Sequence, residues 1–218
     1  MNSSNNNTVF FIDLEGTLLN EGEENLCEEN LTNFISLIDQ VENLTQSKVD
    51  IHLVSPIPAY KMQEIKDDID KNIARYNRRN NKSIKDVASA ACDMSTQVQG
   101  QRRAIDATIV PLPTGKNRDP QLLGLTEKEL YVKYLIDYLK DRDQMGKLVY
   151  IGNGRNDIRA MKYVRSQGGI VLCPRNSRTG VREIADYTSN LHALQGVNEA
   201  LTEAIKNNLQ KAQRCYGD

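Results

Sequence analysis

Two short stretches of this sequence hold residues whose types and spacing could do chemistry. The first is Asp13-Leu14-Glu15-Gly16-Thr17, which follows the apolar run Val9-Phe10-Phe11-Ile12. Carboxylates two apart on a strand point the same way, and a turn at Gly16 lets both face one pocket. Such a pair is costly unless a cation sits between them. A carboxylate can also attack phosphorus and form an aspartyl-phosphate. The second acid can then protonate the leaving oxygen and later activate water. The plainer alternative is an acidic turn after a strand. The second stretch is Gly152-Asn153-Gly154-Arg155-Asn156-Asp157, entered from the apolar run Leu148-Val149-Tyr150-Ile151. It is not a dinucleotide-binding G-x-G-x-x-G, because Asp157 stands at the third glycine's place. An Asn-Gly turn is its bland alternative. A third apolar run, His52-Leu53-Val54, ends in the hydroxyl of Ser55, although Ser-Pro also opens ordinary turns.

These residues need elements to hold them. Compact apolar stretches at 8–14, 49–54 and 147–151 read as buried strands, with shorter ones at 107–111 and 169–172. Leu31, Phe34, Ile35, Ile38, Val41 and Leu44 recur at helical spacing, as do Met62, Ile65, Ile69 and Ile73. Residues 77–82 read as a polar break, 83–99 as helix and 112–124 as a loop. Thr126-Glu127-Lys128-Glu129 matches a capping box opening a helix, and further helices fall at 158–165, 179–185 and 197–212. Strands alternating with helices predict an α/β fold with a Rossmann-like, doubly wound parallel sheet. Such sheets bind ligands at the carboxyl ends of their strands, at a topological switch point.

The bulk properties narrow the classes. The 218 residues carry a formal net charge of -1, which gives no electrostatic case for nucleic acid or an acidic membrane. No apolar run approaches the length of a membrane helix. The four cysteines, Cys27, Cys92, Cys173 and Cys215, are scattered, which fits a reducing cytoplasm better than a disulfide framework. Residues 1–7 are Ser/Asn-rich and read as a disordered tail.

Taken in order, the motifs resemble those of the haloacid dehalogenase superfamily, from about Thr8 to about Ala200. Asp13 to Leu18 resembles its D-x-D-G-T-[LV] motif, with Glu15 in place of the usual second aspartate. The resemblance implies Asp13 as nucleophile, Glu15 as acid/base and metal-binding position, Gly16 and Thr17 beside the phosphate, and Ser55 as the hydroxyl on the transferred phosphoryl oxygen. It implies a lysine at a helix start that neutralises the nucleophile; Lys128 fits, with Lys133 as runner-up. The 152–157 stretch resembles G-D-G-x-N-D. Asn153 replaces the family's first metal-binding acid, so Asp157 is expected to carry more of the metal and Asn156 to orient it or the phosphoryl group. The stretch containing Asn176 resembles the Cof-like and phosphoserine-phosphatase-like branches. The implied cofactor is Mg2+, held by Asp13, Glu15, Asn153 and Asp157. The implied activity is phosphomonoester hydrolysis of a small molecule such as a nucleotide or sugar phosphate. A catalytically weak or inactive binding protein on the same fold, and a phosphotransferase, are the alternatives.

Members of that family select substrates with inserted caps. The surplus here lies at 76–103, between core segments 8–75 and 104–218, and reads as a small helical insertion. Arg75, Arg78, Arg79, Lys82, Lys85, Arg102 and Arg103, with Lys116 and Arg118, make the region basic. That suits either a rim for an anionic substrate or, more plainly, a solvated face.

Overall fold

The computed structural model describes residues 7–55, 57, 59–93, 96–98, 101–103, 107–108 and 128–209. The first described strand lies in the middle of a sheet. β1 (Asn7–Ile12) leads through α1 (Glu28–Thr45) to β2 (Val49–Ser55), then through α2 (Ala59–Asn80) to β3 (Ala88–Asp93). β4 (Thr96–Val98) and β5 (Gln101–Arg103) form a separate two-stranded antiparallel pair, and β6 (Ala107–Thr108) follows. After α3 (Lys128–Lys140) come β7 (Met145–Ile151), α4 (Ile158–Ser166), β8 (Ile170–Cys173), α5 (Thr179–Arg182), β9 (Tyr187–Thr188) and α6 (Ala193–Ala204). The main sheet runs β6-β3-β2-β1-β7-β8-β9. Every neighbouring pair from β3 to β9 is parallel, and β6 lies antiparallel on β3 at the edge. This is the expected α/β, doubly wound arrangement. The chain winds outward from β1 to β3, then returns to β7 and winds the other way, so the switch point lies between β1 and β7.

Alternation along the central strand sorts two cores. Phe10 and Ile12 join the cluster containing Leu31, Phe34, Ile35 and Ile38 of α1, Met62, Ile65 and Ile69 of α2, and Val197 and Leu201 of α6. Val9 and Phe11 face Tyr131, Val132 and Ile136 of α3, Met161 and Val164 of α4, and Val181 of α5. A strand buried on both faces reads as a continuous apolar run, which is what 9–12 is.

Several expectations are corrected. No helix forms among the described residues of the helix expected over 83–99, which instead include β3 and β4. Ala88-Ser89-Ala90-Ala91 has helical propensity, but pairing with β2 through His52↔Ala88 to Ser55↔Ala91 overrides it. Of the small helical insertion expected at 76–103, the described residues form the end of α2, a strand of the main sheet and the β4–β5 pair. The polar break at 77–82 is mostly helix, since α2 runs on to Asn80. Asn77 then ties the turn down, donating from Nδ2 to the Ile84 carbonyl at 2.9 Å and accepting from the Ile84 N–H at 3.0 Å. β9, only two residues long, has no periodicity to announce it. The expected disordered tail lies outside the described residues except Asn7, which opens β1. The 112–124 loop and the capping threonine at 126 lie outside them too.

Candidate active site

Asp13 follows β1 directly, and its N–H donates to the Ile151 carbonyl of β7 at 2.9 Å. The carboxylate thus stands at the switch point. The chain then reverses, with the Leu14 carbonyl accepting from the N–H groups of Thr17, Leu18 and Leu19 at 2.9–3.0 Å. Gly16 makes the reversal with φ +73°, and a Cβ there would lie 1.9 Å from Asn153 Nδ2. Only glycine allows both the conformation and the approach. The turn returns Thr17 Oγ1 to within 3.4 Å of Asp13 Oδ2 and 3.3 Å of Asn153 Oδ1.

Lys128, the first residue of α3, reaches between two carboxylates. Its Nζ donates to Asp13 Oδ1 at 2.6 Å and to Asp157 Oδ1 at 2.7 Å, with the lysine side chain only 4 % exposed. Lys133, the runner-up, is elsewhere; it pairs with Glu129 at 2.7 Å and lies over the Tyr163 ring. Asp157 is fully buried. Its Oδ1 also accepts from the Tyr150 hydroxyl at 2.8 Å, and its Oδ2 accepts from the N–H groups of Asn153 at 3.1 Å and Gly154 at 2.8 Å. A carboxylate offers about four acceptor positions, and these four donors fill them. Gly152 is needed here as well, because a Cβ would come within 2.6 Å of the Asp157 carboxylate.

The electrostatics follow from burial. Loss of water pushes the Asp13 carboxyl up to about 6; the Asp157 charge adds to the rise and Lys128 opposes it. Burial alone would lower the Lys128 pKa, but Asp13 and Asp157 more than offset it and hold the ammonium above the ordinary lysine value. Beneath the site, burial depresses His52 to about 4, so it is neutral at pH 7. Its Nδ1 is 2.9 Å from the hydroxyl of Tyr131, one turn beyond Lys128 on α3. This contact ties the helix that carries the lysine to β2.

Ser55 ends β2 as expected. Its Oγ is buried and has no hydrogen-bond partner among the described residues. A buried hydroxyl left unpaired is unfavourable unless a ligand completes it. Glu15 is exposed and lines a cleft of about 740 Å³ together with Asp13, Asn153 and Asn156. Asn176 sits behind the turn, donating to the Gly16 carbonyl at 2.7 Å and accepting from the Ala193 N–H at 3.1 Å. The structure therefore gathers Asp13, Thr17, Lys128, Asn153 and Asp157 into one buried cluster, with Glu15 and Asn156 at its mouth.

For a metal, the donors are sparse. Among the described residues no group of three His, Cys, Asp or Glu side chains is arranged to hold one. Asp157 is occupied by its four donors. Asp13, the neutral oxygen of Asn153 and Glu15 remain. That set suits a hard cation that keeps most of its water, as Mg2+ does.

Sequence reasoning missed three side chains. Tyr150 reads as an ordinary strand aromatic, yet its hydroxyl bonds Asp157. Arg155 and Arg178 both line the cleft; their positions just after strands β7 and β8 were the available signal. The basic stretch singled out instead is partly tied up. Arg75 pairs with Glu28, Lys82 with Asp39 at 3.0 Å and Lys85 with Asp50 at 2.6 Å. The side chains of Arg102 and Arg103, and Lys116 and Arg118 altogether, lie outside the described residues.

No protein-family model matches the chain. No curated protein matches it either. Solved structures similar to it include a haloacid dehalogenase-like hydrolase from Bacteroides thetaiotaomicron, 16% identical, covering 90% of this chain and 98% of that one, with a TM-score of 0.49. Another is the cobalt-bound deoxy-D-mannose-octulosonate 8-phosphate phosphatase from Haemophilus influenzae, 15% identical, covering 99% and 95%, with a TM-score of 0.47. A third is the 3-deoxy-D-manno-octulosonate 8-phosphate phosphatase from Yersinia pestis, 13% identical, covering 94% and 83%, with a TM-score of 0.42. Among the described residues no helix is long and apolar enough to cross a membrane.

Proposed function

We propose that this chain is a phosphomonoester hydrolase of the haloacid dehalogenase type, acting on a phosphorylated small molecule through an aspartyl-phosphate on Asp13. The observation that carries the reading is Lys128, buried between Asp13 and Asp157 at a sheet switch point that opens on a cleft. Asp13 Oδ1 is engaged by the Lys128 side chain, whereas the only side-chain contact of Oδ2 among the described residues is the long one to Thr17. Oδ2 is therefore the oxygen that attacks phosphorus, forming the new P–O bond as the ester P–O bond breaks. Glu15, exposed at the cleft, gives its proton to the leaving oxygen. It then takes a proton from the water that hydrolyses the aspartyl-phosphate. Lys128 offsets the charge gathering on the phosphoryl oxygens. Ser55 supplies a hydroxyl to one of them, which completes its unpaired Oγ. Asp157, held by four donors, acts by fixing Lys128 and the 152–154 loop rather than by touching substrate. Asp13, Asn153 and Glu15 would hold Mg2+, which when bound supplies positive charge for the phosphoryl oxygens and for the approach of Asp13.

The test is hydrolysis of 4-nitrophenyl phosphate with and without Mg2+, with Asp13→Asn as the control, beside trapping by beryllofluoride. Metal-dependent turnover lost in the variant is the expected result. No turnover with any divalent metal, together with no beryllofluoride binding, overturns the reading.

A further inference from the structure

The cleft is larger than a phosphoryl group requires, and its charges are sorted by loop. Glu15 and Glu21 come from the loop after β1, whereas Arg155 and Arg178 come from the loops after β7 and β8. Arg155 lies two residues beyond Asn153. Arg178 is anchored to the same place, since its backbone N–H donates to the Asn153 carbonyl at 3.0 Å. Arg155 is therefore on, and Arg178 is tied to, the loop that borders Asp13. Both residues are exposed, and neither has a carboxylate partner among the described residues. Arg75, Lys82 and Lys85, by contrast, are neutralised by ion pairs. Two guanidinium groups on one cavity repel each other until an anion lies between or beside them, and their planar forks suit carboxylate and phosphate oxygens.

From this arrangement we infer that the substrate carries a second anionic group, a carboxylate or a further phosphate, bound by Arg155 and Arg178 while the reacting phosphoryl group sits at Asp13. The inference rests on the phosphohydrolase reading and sharpens its substrate class. The reacting phosphate is directed to Asp13 and Lys128, because those two groups are buried in contact. The second anion is directed to the loops after β7 and β8, because the loop after β1 carries Glu15 and Glu21. Phosphate esters of uncharged alcohols fill only the first position.

A matched pair of non-hydrolysable probes isolates the second anion. Butylphosphonate and 4-phosphonobutyrate differ only in a terminal methyl against a carboxylate. Calorimetric titration of the full chain in Mg2+ buffer is expected to show the carboxylate probe binding about tenfold tighter, as one charge-assisted contact at a wet site would give. In Arg155→Ala/Arg178→Ala that preference is expected to fall to near one. Arg155→Lys/Arg178→Lys, which keeps the charge but not the fork, is expected to retain part of it. Thermal melts of both variants establish that they fold. No preference in the wild type, no binding of either probe, or a preference that survives the double alanine change overturns the inference. Turnover is read separately on the matched phosphate esters. Turnover without a probe preference sinks only the second-anion site, whereas a probe preference with no turnover under any divalent metal and no beryllofluoride binding sinks the hydrolase reading.

Discussion

Replacing Asp13 by asparagine should make the protein more stable at neutral pH while removing its nucleophile. Asparagine is close in shape to a protonated carboxyl. The comparison therefore asks what the native state gives up by ionising Asp13. Burial, with help from Asp157 and against Lys128, raises that carboxyl from 3.8 to about 6. The native state thus holds the proton more tightly than the unfolded chain does. Stability gained from the protonated carboxyl is complete below pH ~4 and is lost as the pH rises through about 6. The interval of about 2 pH units corresponds to roughly 3 kcal/mol of cost at pH 7.5. Urea denaturation of both proteins in metal-free buffer from pH 4 to 8 measures it. The two curves should lie together near pH 4, separate between pH 4 and 6, and run parallel above. If Asp13→Asn is the less stable protein by a constant margin across that range, the Lys128 attraction outweighs burial and the electrostatic account is wrong.

Lys128→Met should lower stability by about 3–5 kcal/mol at neutral pH, because it leaves two buried carboxylates facing each other; urea melts measure it, and phosphate hydrolysis should vanish with it. Gly16→Ala should cost about 2 kcal/mol or more, since it combines φ +73° with a clash against Asn153, and a thermal melt would show it. Tyr150→Phe removes the 2.8 Å bond to Asp157 and should cost about 1 kcal/mol in the same measurement, with a smaller turnover number as Lys128 loosens.

What the sequence made legible is what is local. Asp13, Glu15 and Gly16 lie within four residues, and the 152–157 loop within six, so spacing and glycine alone announce them. β1 and the end of β7 were legible because they are buried on both faces, leaving uninterrupted apolar runs. Lys128 was visible only as a lysine at a helix start. Its choice over Lys133 depends on a contact 115 residues away in the chain, which no local pattern encodes. β3 was misread because its alanines carry no strand signature, and its partner β2 decides its conformation. The four-donor closure around Asp157 was illegible for a related reason. Two of the donors are backbone N–H groups, and a third is the Tyr150 hydroxyl on a residue that otherwise packs as core.

Asn153 bears on both stability and metal binding, and the two should move in opposite directions when it changes. The buried cluster holds Asp13, Asp157 and Lys128, two negative charges against one positive. Repulsion between the carboxylates already contributes to the raised pKa of Asp13. An aspartate at 153 would bring a third negative charge to within hydrogen-bond reach of Thr17 and against the Gly16 turn. Within the buried cluster Lys128 is committed to the other two carboxylates, and the nearby Arg155 and Arg178 are exposed at the cleft. Asn153→Asp should therefore lower the metal-free stability by roughly 1–3 kcal/mol, the range for an unpaired charge at a mostly buried position. The same charge should raise Mg2+ affinity by at least about tenfold, since an ionised oxygen replaces a neutral one beside Asp13. Metal titration by calorimetry reads the second effect, and urea melts with and without Mg2+ read the first. The protein that folds less well alone should become the more strongly stabilised by metal. Unchanged Mg2+ affinity would mean that position 153 does not face the cation. Unchanged metal-free stability would mean that the cluster tolerates another charge. In the second case, the asparagine could no longer be explained as easing the repulsion that the metal-free fold must bear.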